Sequence, residues 1–321
     1  MIRMANGFSF LFMVASGALG FDGRGWFWER PLVWLGLIDP SLFAVVLKTL
    51  TLKPRKGNLR WWKPWECVAL IKGGAVNKVG LTNPGINYWI NKVWPRCRGS
   101  FFISLYGDEE ELSEMVRMLV GHWESFPWAR PTPQGVEINV SCPNSGDALS
   151  NSQKQTEQII RTVKEVRRFL PQSWSLIVKL SVTQDYVSIA KGIGGCADAV
   201  SINSVPWEKI YPARRSPLFK LQSRLNDNSG GGGVSGVPAQ RLNWEAVAKI
   251  RRLVPELPVI GPSVMSYDDV ARVQAIGAKA VSFGAIHLPD YPVWLRPWTI
   301  FTNPCRPTVY VRRWQQEKGL N

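Results

Sequence analysis

Glu137-Ile-Asn-Val-Ser-Cys-Pro-Asn144 carries the end of an apolar, β-branched run, Val136–Val140, directly into Ser141, Cys142, Pro143 and Asn144. Short runs of this kind mark strands buried on both faces, and polar side chains just past a strand's C-terminal end mark where parallel α/β folds keep their chemistry. Working outward, seven more such runs occur: Phe8–Ala15, Leu42–Leu47, Phe101–Tyr106, Leu176–Leu180, Ala199–Ile202, Pro258–Ile260 and Ala280–Phe283. Helical patterns separate several of them: Asp108–Trp123, acidic at its start; Thr156–Phe169, with Ile159, Ile160, Val163, Val166 and Phe169 on one face; Trp244–Val254; and Tyr267–Ile276. Strands alternating with helices give βαβ units, and eight units in roughly 250 to 300 residues favour a closed α/β barrel, the (β/α)8 TIM fold, over an open sheet. Ser16, Lys48, Asn139, Lys179, Asn203, Gly261 and Gly284 stand at or just beyond the strand ends, so their polar groups converge on one mouth. An open sheet would use only the loops at its switch point.

The rest of the chain fits one barrel domain spanning residues 1–321. With 45% hydrophobic and 20% charged residues it is too apolar for disorder, and 28 Gly and 23 Pro without a fixed period exclude collagen-like or low-complexity architecture. The five Cys (67, 97, 142, 196, 305) form no C-x-x-C pair and there are two His, which argues against structural zinc, any other resident metal or an internal iron–sulfur cluster, and suits a reduced, cytoplasmic protein. A formal charge of +15 biases the surface toward anions, but the basic residues are scattered in pairs such as Arg167 with Arg168 and Arg312 with Arg313. That pattern reads as a generally basic surface, with no nucleic-acid site. No apolar run reaches the roughly 18 residues of a membrane span. Phe8–Val14, behind Arg3, imitates a weak signal peptide but also reads as a buried strand.

Three segments exceed a bare barrel. Residues 49–98, rich in Trp and basic side chains, are expected to form an excursion over the C-terminal mouth. Residues 141–155, polar and Gly/Ser-rich, read as a lid. Residues 205–241 contain Gly230–Gly233, which either brings backbone amides against a ligand or serves as a solvated linker. Sixteen Trp and the basic 49–98 segment allow a partner surface, with a homodimer expected.

The string around Cys142 resembles the dihydroorotate dehydrogenase family of flavin-dependent barrels, whose fourth strand ends in Asn-x-Ser-(Cys or Ser)-Pro-Asn. The resemblance extends in order through Ala15-Ser-Gly17, Lys48, Asn77-Lys-Val-Gly-Leu-Thr-Asn-Pro-Gly85, Val178-Lys-Leu180, Ser201-Ile-Asn-Ser204, Gly232-Gly-Val-Ser-Gly236 and Val259-Ile-Gly261. It implies FMN-dependent oxidation of (S)-dihydroorotate to orotate in pyrimidine biosynthesis. Cys142 would be the base that takes the C5 proton while hydride leaves C6 for flavin N5; the bland alternative is a buried, inert thiol, as expected for the other four Cys. Asn77, Asn139, Asn144 and Asn203, with Ser204, Gly80 and Leu81, would hold the pyrimidine, since amides both donate and accept as its ring requires. Ala15, Ser16, Gly17, Lys48, Asn139, Lys179, Gly232, Gly233, Gly236, Gly261, Ser263, Gly284 and Ala285 would line the cofactor. A Cys rather than Ser as base resembles the family's soluble class 1, and the chain begins too close to its first strand for the amphipathic helix of the membrane class. The acceptor is then a small molecule such as fumarate or a separate iron–sulfur subunit.

The last two strands depart from that pattern. Where the family closes its phosphate site with Gly-Gly and Gly-Thr, this chain has Gly261-Pro-Ser263 and Gly284-Ala285. Pro262 has no N–H and Ala285 no hydroxyl, although Ser263 brings a side-chain donor. Two other readings follow: a silent barrel that has lost flavin and acts in binding or assembly, and a tRNA dihydrouridine synthase, another basic flavin barrel with Cys-Pro after an Asn-bearing strand. Ser141, Asn144 and the Asn77 and Asn203 motifs speak against the second.

Overall fold

A computed structural model describes residues 1–60, 62–126, 131–140, 152–221 and 230–320. Its centre is a closed barrel of eight parallel strands. They are β1 (Phe12–Val14), β2 (Ala44–Val46), β3 (Phe101–Leu105), β4 (Gly135–Asn139), β5 (Ser175–Leu180), β6 (Ala199–Ile202), β7 (Val259–Gly261) and β8 (Ala280–Phe283). Each pairs with its neighbours in sequence order, and β8 closes on β1 through Val281 with Phe12 and Phe283 with Val14. All eight expected strands are present, and the fold is a (β/α)8 barrel.

Side-chain alternation along these strands builds the site. Phe102, Ile177, Ala199 and Ala280 pack in the barrel interior with Met13, Val46 and Ile260. Two residues further along each strand the same face carries Ser104, Lys179, Ser201 and Ser282, all buried. The lower interior is therefore dry and the upper interior polar. The bottom is stoppered by a hairpin pairing Ile2–Arg3 with Ser9–Phe10, whose Phe8 and Phe10 rings lie 6.3 and 6.1 Å from that of Phe102. Expected as one strand, Phe8–Ala15 is thus split at Leu11 into a hairpin arm and β1.

The α-helices of five or more residues are α1 (Arg30–Trp34), α2 (Ile86–Lys92), α3 (Glu109–Ser125), α4 (Ser152–Phe169), α5 (Tyr186–Ile193), α6 (Val237–Leu253), α7 (Tyr267–Ala275) and α8 (Arg306–Glu317). Asp108 caps α3 and Ser266 caps α7, each in a reciprocal capping box. α6 begins two turns earlier than its apolar pattern indicates, because Pro238 sits in the first turn, where its missing N–H costs nothing.

A four-stranded antiparallel sheet, not foreseen in the sequence, joins the two excursions: Val205–Pro206, Gly233–Gly236, Gly74–Asn77 and Val68–Ile71, in that spatial order. Glycine is required where the middle strands cross. Gly236 has φ +94°, and a Cβ there would stand 2.5 Å from the Gly73 carbonyl oxygen and 2.7 Å from Gly74 Cα. Residues 205–241 are thus largely ordered sheet and helix where described. Of the lid expectation, residues 141–151 lie outside the described residues, and 152–155 form the first turn of α4. Trp89 and Trp94, counted toward a partner surface, are wholly buried and stack at 5.5 Å, with Trp94 facing Trp174 at 6.5 Å.

Candidate active site

The strand ends and the overlying sheet enclose a cleft of about 1570 Å³. This exceeds the roughly 300–1,000 Å³ of a pocket for one drug-sized molecule and leaves room for a cofactor with a small substrate beside it. Ala15, Ser16, Gly17, Lys48, Asn77, Gly80, Leu81, Asn139, Lys179, Asn203, Ser204, Gly233, Gly236, Ser263, Gly284 and Ala285 all line it. Gly232 and Gly261 stand behind the wall: Gly232 backs onto the Asn77 carbonyl, and a Cβ on Gly261 would strike Val273 of α7 at 2.4 Å. Cys142 and Asn144 fall outside the described residues.

At the floor, Glu137 of β4 is fully buried and its Oε1 lies 2.6 Å from Lys179 Nζ of β5. Ser104 Oγ and Ser201 Oγ each donate to this carboxylate at 3.1 Å. Ser104 in turn meets Thr49 Oγ1 at 2.9 Å, and Thr49 meets Ser16 Oγ at 3.0 Å. A continuous polar chain thus crosses the mouth from the end of β1 to β6. A buried carboxylate needs this set of partners, since breaking such a pair leaves an uncompensated charge. Glu137 was given no role in the sequence, although it precedes Asn139 by two residues and so shares its inward face.

Lys48, after β2, has no carboxylate partner among the described residues. Its ammonium sits 5.8 Å from the Phe21 ring centroid. Burial lowers its pKa to about 8; the Cys67 thiol opposes that shift and nearby Lys179 adds to it. Cys67 and Cys97 are buried thiols that burial pushes up to about 11 and about 12, as inert cysteines should be. Cys196 and Cys305 are half-buried.

Three of the four expected asparagines line the same cleft, Asn139 directly across the strand pair from Lys179. Asn77 Nδ2 donates to the Gly233 carbonyl at 3.3 Å, Asn139 ends β4, and Asn203 follows β6 with its N–H donating to Leu180 O at 2.8 Å. Gly233 is glycine because a Cβ would lie 2.4 Å from Ser204 Oγ. Among the described residues, the two non-glycines with positive φ are Leu81 (+54°) and Ser263 (+64°), and both line the cleft. Backbone strain of this kind gathers at binding sites.

At the far end, loops after β7 and β8 meet α6. Asn243 Nδ2 donates to Ser263 Oγ at 3.0 Å, Trp244 Nε1 to Pro262 O at 2.9 Å and Gln240 Nε2 to Ser263 O at 3.0 Å. His287, buried in the cleft wall, has no partner for either ring nitrogen among the described residues, and burial lowers its pKa to about 4. Neither Asn243 nor His287 was singled out in the sequence. The cleft's volume, its buried lysines and these unpaired polar atoms fit a phosphorylated flavin. The outer rim carries Phe27, Trp28, Trp62, Trp65 and Ile300, all with exposed surface.

Comparison with known proteins settles the family. The dihydroorotate dehydrogenase family model matches residues 8–295, the whole barrel and both excursions. The chain belongs to the dihydroorotate dehydrogenase family. It is an oxidoreductase of that family. The catalytic subunit of dihydroorotate dehydrogenase B (NAD(+)) from Desulforudis audaxviator is 32% identical over 286 residues, covering 86% of this chain and 82% of its own. The same subunit from Thermoanaerobacter pseudethanolicus is 32% identical over 281 residues, covering 85% and 82%. Dihydroorotate dehydrogenase A (fumarate) from Lactobacillus delbrueckii subsp. bulgaricus is 30% identical over 263 residues, covering 78% and 77%. Among solved structures, a mutant of an active chimera of (S)-mandelate dehydrogenase has a TM-score of 0.46 at 13% identity, covering 96% of this chain and 76% of that one, a likeness too loose to bear on the chemistry. Among the described residues, no helix is long and apolar enough to cross a membrane.

Proposed function

We propose that this member of the dihydroorotate dehydrogenase family binds FMN and oxidises (S)-dihydroorotate to orotate. The observation that carries the reading is the meeting, in one cleft, of Asn77, Asn139 and Asn203 with Lys48 and Lys179. The asparagines supply alternating donors and acceptors for a planar ring bearing N–H and C=O groups. Asn144, five residues after Asn139 in the sequence, would complete that set.

Bound FMN would supply the two-electron acceptor. Lys48 and Lys179 set a positive field at the floor that favours negative charge on whatever lies above them. Lys179 is held there by Glu137, while Lys48 has no carboxylate beside it among the described residues and keeps its charge available below about pH 8. Cys142, three residues past the end of β4 at Asn139, is the proton acceptor for C5; a thiol of lowered pKa is suited to that task. The relatives' names divide between NAD(+) and fumarate forms, and either a small acceptor such as fumarate or an electron-transfer subunit with an iron–sulfur cluster fits this chain.

The test is orotate formation by the FMN-loaded protein with dihydroorotate and an artificial electron acceptor. Wild type is expected to turn over, and Cys142→Ala to lose at least a hundredfold in kcat while keeping its flavin. Equal turnover of the two proteins would remove Cys142 from the chemistry.

A further inference from the structure

Resting on the FMN reading, the end of the cleft nearest Ser263 poses a problem of its own. A phosphate in a barrel of this kind is commonly held by backbone amides of the loops after β7 and β8. Here the loop after β7 has one fewer of them at the position nearest the strand. Pro262 has no N–H, and the amides of Met265 and Ser266 are already given to Asp269 Oδ2, each at 3.0 Å. The carbonyls of Pro262 and Ser263 both face α6, fixed there by Trp244 and Gln240.

Side chains stand where those amides are missing. Asn243 is 1% exposed with its Oδ1 unpartnered, and His287 is 6% exposed with both ring nitrogens unpartnered among the described residues. Both line the cleft, as does Ser263. A buried polar group left unpaired in this way costs stability unless a ligand completes it, which a phosphate does for Asn243 when the amide is turned so that Oδ1 accepts the Ser263 hydroxyl and both N–H groups are free. Asn243 and Ser263 between them offer two free donors in either orientation of the amide: the second N–H with the hydroxyl, or both N–H groups with the hydroxyl turned onto Oδ1. The neutral imidazole of His287 adds one more. The left-handed backbone at Ser263, unusual for a residue with a side chain, keeps its hydroxyl beside Asn243.

We propose that Asn243, Ser263 and His287 form a side-chain clamp for the phosphate of the cofactor, replacing backbone donors that this chain has lost at Pro262. The clamp draws one residue from each of three pieces of the cleft wall, α6, the β7 loop and the β8 turn, with Asn243 and Ser263 in direct contact. It makes retention of FMN, as distinct from its flavin ring, depend on side chains.

The experiment is titration of the flavin-free protein with FMN and with riboflavin, read by quenching of flavin fluorescence, for wild type, Asn243→Ala, Asn243→Asp, His287→Leu and His287→Gln. Wild type is expected to hold FMN at least tenfold tighter than riboflavin. Asn243→Ala and His287→Leu should each cut that preference severalfold with riboflavin affinity unchanged. Asn243→Asp, which sets a like charge against the phosphate, should abolish it, and His287→Gln, which keeps a donor, should restore part of it. An unchanged riboflavin affinity also certifies that each variant is folded. An FMN preference equal to wild type in all four variants, or a parallel loss of both flavins, overturns the clamp while leaving the flavin reading in place. If wild type binds neither flavin, the flavin reading fails and the clamp falls with it.

Discussion

Glu137 and Lys179, on the adjacent strands β4 and β5, meet at 2.6 Å with the carboxylate fully buried and two serine hydroxyls donating to it. The pair couples the floor of the cleft to the barrel's own stability. Replacing Glu137 by Ala strands a buried ammonium, and removing one partner of such a pair costs about 3–5 kcal/mol. Urea denaturation of Glu137→Ala should show a loss of that size, and the double variant Glu137→Ala with Lys179→Met should recover much of it. A single variant as stable as wild type would mean that the pair is not closed in solution.

Lys48 gives a pH signature of opposite origin, since burial lowers its pKa to about 8 from the usual lysine value of 10.5. Below about pH 8 both folded and unfolded chains carry the proton, and the cost of burying the charge is felt in full. Between about 8 and 10.5 the unfolded chain holds a proton that the folded chain has lost, so stability rises with pH across that window. Lys48→Met should be more stable than wild type at pH 7 and lack this component. Urea midpoints of the two proteins at pH 7, 8, 9 and 10 check it, and parallel curves would contradict it.

His287 acts at the acid end. Its pKa falls from 6.5 to about 4 on burial, so the unfolded chain binds a proton that the folded chain refuses between those values. Stability contributed by the neutral ring is present above about pH 6.5 and lost as pH falls toward 4, by about 3 kcal/mol at most. His287→Leu should flatten the acid limb of the flavin-free protein in thermal unfolding between pH 4 and 7.

Gly236 tests the sheet over the mouth. An alanine there would combine an unfavourable φ with a backbone contact at 2.5 Å, neither of which a side chain can relieve. Gly236→Ala is expected to lower stability by about 1–3 kcal/mol and to weaken flavin retention, measured by differential scanning calorimetry and by flavin content after desalting.

The barrel was legible because its strands are continuous apolar runs punctuated by polar residues, and the strand-end residues Lys48, Asn139, Lys179 and Asn203 were legible for the same reason. The covering sheet was not, since its local hairpin of Val68–Ile71 with Gly74–Asn77 is joined through Gly74–Asn77 to Gly233–Gly236, more than 150 residues away. Glu137 was hidden inside a motif whose neighbours drew the reading, although a period of two from Asn139 places it inside the barrel. Asn243 lay beyond reach because Gly236, Val237 and Pro238 resemble a loop, and its position on α6 is visible only once that helix begins at Val237. Gly232 and Gly261, expected to line the cofactor, serve close packing behind the wall.

The central claim is most directly tested by the anaerobic visible spectrum of FMN-loaded, desalted protein before and after addition of dihydroorotate, with orotate measured in the same sample. The account expects the flavin absorbance to bleach and one orotate to form per flavin reduced. A retained flavin whose spectrum stays unchanged, with no orotate formed, would contradict it.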